Sequence, residues 1–124
     1  MPWLLIAALS GFTAVALGAF GAHALKAKLA ADMLAVYQTG VEYHFYHSLA
    51  LLAVGVLCLQ FPQNNWFNTA GWMFAVGLLF FSGSLYVLAL SGVKVLGAIT
   101  PIGGVLFLLG WACLAWGASQ VGVK

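Results

Sequence analysis

Arginine is absent from this 124-residue chain, and charge of either sign is scarce. Lys26, Lys28, Lys94 and Lys124 stand against Asp32 and Glu42, so that charged residues make up 5% of the chain. A soluble domain carries about a quarter. With so little charge the chain cannot hydrate its own outside, and the surrounding medium is expected to be lipid. The lack of a basic patch excludes nucleic acid as a partner. Cysteine is also sparse. Cys58 and Cys113 lie in separate apolar runs outside any C-x-x-C pattern, which marks them as core residues. No paired carboxylates, Ser-His-Asp set or phosphate loop can be assembled. Only Glu42 and His23 offer acid–base chemistry, and nothing specifies a substrate.

What the chain does contain is apolar length. Hydrophobic residues make up 65% of it and its mean hydropathy is +1.09. Crossing ~30 Å of hydrocarbon takes ~20 apolar residues, so the chain has room for four spans and short turns. Four runs satisfy this, at about 3–25, 40–60, 68–91 and 95–119. Gln60-Phe61-Pro62-Gln63-Asn64-Asn65 breaks the second from the third, and Ser91-Gly92-Val93-Lys94 turns the third into the fourth. The expected fold is all-α: one polytopic membrane domain over 1–124, an antiparallel bundle of four transmembrane helices, with membrane lipids as its first partner.

Ala22-His23-Ala24 imitates a signal-peptide cleavage site, but Lys26 and Lys28 follow the first apolar run instead of preceding it. An uncleaved span is expected. Lys26, Lys28 and Lys94 fall in loops on one side, against Lys124 and the uncharged Gln63-Asn64-Asn65 loop on the other. The positive-inside rule then puts both termini outside the cytoplasm.

Small residues recur at helical spacing. Gly103, Gly110 and Gly117 line one face of the fourth run, and Ala7, Gly11, Ala14, Gly18 and Ala22 one face of the first. Such faces let membrane helices approach closely. They serve either packing within the bundle or docking onto a second copy or a larger membrane complex. Pro101 either occupies the first turn of the fourth helix or kinks its entry.

Antiparallel folding is expected to gather the polar residues at the cytoplasmic end. His23 closes the first run, Glu42, Tyr43, His44 and His47 open the second, and Ser84, Tyr86 and Thr100 fall on the same side. His47 then lies ~20 Å from Gln60 at 1.5 Å per residue. His44 and His47, three apart, share a helix side, while Glu42 turns toward Gln38 and Tyr46. Ionisable groups are costly inside a membrane, which makes this set the candidate site. Three readings stand. A neutral His47 bonds to Tyr86 or a serine and pins helix register. Alternatively, His44 or His47 joins His23 as metal or haem ligands, although no further carboxylate or cysteine completes a coordination shell. Or the set handles protons or lines a pocket for a metal, haem, quinone, lipid headgroup or small solute. The sequence identifies no cofactor. On depth alone, His47→Leu is expected to perturb the protein more than His44→Leu.

Four motifs occur in order: Gly18-Ala19-Phe20-Gly21-Ala22-His23-Ala24-Leu25; Thr39-Gly40-Val41-Glu42-Tyr43-His44-Phe45-Tyr46-His47-Ser48-Leu49-Ala50; Phe81-Ser82-Gly83-Ser84-Leu85-Tyr86; and Ile99-Thr100-Pro101-Ile102-Gly103-Gly104. Together they resemble the family of small bacterial inner-membrane proteins typified by YgdD and YwdK, which has a mitochondrial relative in animals. The resemblance covers the whole chain and implies a four-helix protein of the bacterial inner membrane. It implies no activity, because the family is a domain of unknown function. Its motif residues coincide with the polar set above.

Overall fold

The structure, a computed structural model, describes residues 1–122; Lys124, which entered the orientation argument, lies outside the described residues. Helix α1 spans Trp3–Phe20 and runs into a π-helical turn at Gly21–Leu25. Then come α2 (Ala31–Gln60), α3 (Asn65–Ser91), a 3-10 turn (Lys94–Ala98) and α4 (Thr100–Ser119). All four helical stretches are long and apolar enough to cross a membrane, and no strand occurs among the described residues. The protein is an all-α, four-span membrane protein.

One boundary differs from the hydropathy reading. The second helix starts at Ala31, not near residue 40, so the polar lead-in is helical. Asp32, Gln38 and Thr39 are exposed, whereas Leu34 and Tyr37 turn inward. Tyr37 is fully buried, and its hydroxyl donates to the Leu17 carbonyl of α1 at 2.5 Å. Its ring lies over Gly21, where an added Cβ would come within 2.9 Å of ring carbon Cδ1. Glycine is therefore required where the chain widens into the π turn. At the opposite end, Asn64 caps α3 by accepting from the Trp66 amide (3.1 Å) and donates to the Gly117 carbonyl of α4 (3.0 Å). Helix α3 stops at Gly92, whose φ of 74° suits a left-handed C-terminal cap. Pro101 sits in the first turn of α4, where its missing N–H is tolerated.

Backbone packing is closest between consecutive helices, with α2 and α3 central and the more buried. Helix α1 reaches α3 through Trp3, which is only 2% exposed. Its indole donates to Asn68 Oδ1 at 2.9 Å, and its ring covers Gly71. Helix α4 reaches α2 through Phe107 and Trp111. Two apolar clusters result, one around Trp3, Leu51, Val54 and Phe74, the other around Leu25, Tyr37 and Ala89.

The glycine face of α4 is occupied. Gly103 lies on the Phe81 backbone, Gly110 on the Phe74 ring, and Gly117 on Phe67 and Trp66, all from α3. That face packs the bundle and is not free to dock another protein. Gly18 abuts Val41, where an added Cβ would meet Cγ1 at 3.2 Å, whereas a Cβ at Gly11 would meet nothing within 4 Å.

Candidate functional site: a buried histidine–serine–tyrosine layer

His44 projects from α2 between α1 and α3 and is 9% exposed. Its Nδ1 lies 2.8 Å from the Tyr86 hydroxyl and its Nε2 3.1 Å from Ser10 Oγ. Ser10 Oγ is in turn 2.6 Å from Ser48 Oγ, and Ser48 donates to the His44 carbonyl at 2.7 Å. With Ser48 donating to the His44 carbonyl, proton counting sets the remaining directions. Ser48 spends its one proton on a carbonyl, so Ser10 must donate to Ser48. Ser10 has then spent its own, so His44 Nε2–H donates to Ser10. A neutral ring has only an acceptor left at Nδ1, and Tyr86 O–H donates to it. Ser82 adds a bond from α3 to the Gly40 carbonyl of α2 (2.8 Å).

His47, 5% exposed, faces the other way. Its ring stacks on Phe107 of α4 at 3.6 Å and 7°. The Trp111 indole N–H donates to its Nε2 at 3.1 Å, while its Nδ1 donates to the Tyr43 carbonyl at 2.9 Å. An indole only donates and a carbonyl only accepts, so this ring is neutral and carries its proton on Nδ1. The two histidines hold opposite tautomers. Solid-state ¹⁵N spectra of the labelled protein in bilayers are expected to show one Nε2–H and one Nδ1–H imidazole for the buried pair. Two identical tautomers would break the bonding scheme.

Several expectations are corrected here. The polar set does not gather at one end. His44 and His47 lie near mid-length of α2 because that helix begins early. His23 is exposed on the π turn, whose Gly21 lies against Tyr37, a level ~10 Å along α2 from His44. His44 and His47 do not serve one site, and the bond to Tyr86 belongs to His44 instead of His47. Glu42 is exposed and accepts from the Tyr46 hydroxyl at 3.3 Å. Tyr43 lies at the surface with its ring 4.7 Å from that of Phe81. Ser84 and Thr100 form a separate link between α3 and α4 at 2.6 Å.

The structure adds Ser10, Phe107 and Trp111. Ser10 was open to inference as a rare hydroxyl in the first apolar run. Trp111 lies mid-span, away from the headgroups where tryptophan is common, so its N–H needs a buried partner. Among the described residues no three His, Cys, Asp or Glu side chains converge in a metal-holding group, and Cys58 and Cys113 are free thiols.

Comparison with known proteins agrees with this architecture. Residues 17–104 match the family described as "Protein of unknown function (DUF423)". The chain is 47% identical over 118 residues to the UPF0382 inner membrane protein YgdD of Escherichia coli, covering 95% of this chain and 89% of that one. It is 42% identical over 118 residues to the UPF0382 membrane protein YwdK of Bacillus subtilis, covering 95% and 96%. A UPF0382 membrane protein of Staphylococcus saprophyticus is 46% identical over 120 residues, covering 96% and 98%. No solved structure matches. The four apolar helices and these relatives, alike over nearly their full length, show that the chain belongs to the DUF423 family of membrane proteins, which has no assigned activity.

Proposed function

We propose that this protein is a non-catalytic accessory component of the bacterial inner membrane, and that its polar layer holds four helices in one register. One observation carries the reading: among the described residues, every buried side-chain nitrogen and oxygen has a hydrogen-bond partner within the protein. A reacting group needs a free lone pair or proton, and the two buried imidazoles have neither to spare. The lysines of the Lys26–Lys28 and Lys94 loops favour a cytoplasmic location for those loops and an outside location for Gln63. Because α3 covers the α4 glycines, association with a second copy or a larger complex would use the apolar outer faces instead.

The test removes the chemistry and keeps the packing. Replacing both members of a buried hydrogen-bonded pair with apolar groups of like shape is close to neutral. A His47→Phe/Trp111→Phe double variant retains a ring on Phe107 and leaves no orphaned donor. Introduced into a deletion strain, it is expected to restore growth and membrane-protein abundances to wild-type values. A well-folded double variant that behaves like the deletion would assign the His47 ring a chemical task. An impermeant maleimide on intact cells is expected to label Gln63→Cys and spare Lys28→Cys.

A further inference from the structure

Helices α1 and α3 touch at Trp3 but part along their middle, leaving a cleft of about 540 Å³ with His44 of α2 at its back. That volume lies within the range of small-molecule sites (~300–1,000 Å³). Leu9 and Leu79 at its lips are 59% and 74% exposed, so it opens sideways into the bilayer and not toward water.

The polar lining has a single hydrogen-bonding sense. Ser10, Thr13, Ser82 and Tyr86 border the cleft. Thr13 gives its proton to the Leu9 carbonyl (2.8 Å) and Ser82 gives its proton to the Gly40 carbonyl (2.8 Å). In the bonding scheme that follows from Ser48 donating to the His44 carbonyl, Tyr86 spends its proton on His44, Ser10 on Ser48, and the His44 N–H on Ser10. Each hydroxyl has committed its proton, and each oxygen retains acceptor capacity. The cleft therefore presents acceptors and no spare donor. No charged side chain lines it, which disfavours a charged headgroup at this depth.

We infer that the α1–α3 cleft binds a neutral, hydroxyl-bearing amphipath from the bilayer, its headgroup donating to the Ser10, Thr13, Ser82 and Tyr86 oxygens and its tail leaving past Leu79. Two membrane sources supply this chemistry: a quinol, or a glycerolipid with a free hydroxyl such as diacylglycerol. A carbonyl-only headgroup, including the oxidised quinone, finds no partner. Sites built around hydrogen bonds discriminate strongly against analogues that cannot make them. The inference stands apart from the structural reading of His47, because the cleft uses the other face of α2.

The experiment measures equilibrium binding to the purified protein in nanodiscs under anaerobic conditions. Duroquinol is compared with duroquinone and with its dimethyl ether, and 1,2-dioctanoylglycerol with its 3-O-methyl ether. Saturable binding at least about tenfold tighter for a hydroxyl compound than for its capped counterpart is the expected result, and the series that shows it names the source. Thr13→Val, which removes one exposed acceptor, is expected to weaken that binding about three- to tenfold. Leu79→Trp, which fills the mouth from an exposed position, is expected to abolish it with the melting midpoint unchanged. Equal affinity for free and capped compounds overturns the inference, as does the absence of saturable binding in both series. Full binding by a folded Leu79→Trp protein places the ligand elsewhere and also overturns it.

Discussion

Gly103→Ala is expected to cost about 2–3 kcal/mol of stability, the upper part of the range for overpacking a tight interface, while Gly11→Ala leaves stability unchanged or slightly raised. Both are read from unfolding midpoints in mild detergent. A Cβ at Gly103 would stand 2.6 Å from Phe81 Cβ and 2.7 Å from Phe81 Cα. Backbone atoms of a neighbouring helix cannot swing aside, so α3 and α4 would have to separate. Gly110 and Gly117 share its heptad spacing but meet the rings of Phe74 and Phe67, at 2.6 Å and 2.9 Å for the nearest atoms. Rings can tilt, and alanine at either position is expected to cost about 1 kcal/mol, at the low end of the same range. Gly11 borders open space, so alanine there gains helix propensity at no steric cost. Equal losses at Gly103 and Gly11 would mean that α3 and α4 do not pack in this register.

Spacing alone does not make this distinction, and that marks the limit of what the sequence shows. All four spans are legible because each contains an apolar run long enough to cross a bilayer. The start of α2 is not, because Asp32, Gln38 and Thr39 depress average hydropathy although they occupy the outward side of a helix whose Tyr37 is buried. Averages register composition, whereas the fold depends on which side each residue takes. The same limit applies to the site. His44, His47, Ser84, Tyr86 and Thr100 are identifiable as polar groups that a membrane would not hold without partners. Which group bonds to which depends on helix rotation, and a helix that is apolar all round carries no amphipathic stripe to set it. Spacing therefore offers Tyr86 or a serine to His47, where the structure pairs Tyr86 with His44, and it singles out neither Ser10 nor Trp111.

The corrected pairing reverses the expected order of the two histidine substitutions. His44 joins three helices, taking a proton from Tyr86 of α3 and giving one to Ser10 of α1. His44→Leu breaks both bonds and strands the Tyr86 hydroxyl, which has no other acceptor assigned. Interhelical hydrogen bonds in membranes contribute about 0.6 kcal/mol on average and up to about 1.7, and an orphaned buried donor adds about 1–3. A loss of about 2–4 kcal/mol is expected. His47→Leu breaks a single interhelical bond, to Trp111, and strands the indole N–H mid-span, where lipid offers no acceptor. One interhelical bond fewer is lost than at His44 and leucine still packs on Phe107, so the loss is expected to be smaller by about 0.6 kcal/mol. Adding Tyr86→Phe to His44→Leu removes the stranded donor and is expected to recover part of the loss, whereas Tyr86→Phe gives His47→Leu no relief. Detergent melting of the four proteins measures both differences. If His47→Leu melts at or below His44→Leu, the α2–α4 stack outweighs the three-helix junction, and the register of the bundle is set on the α4 side.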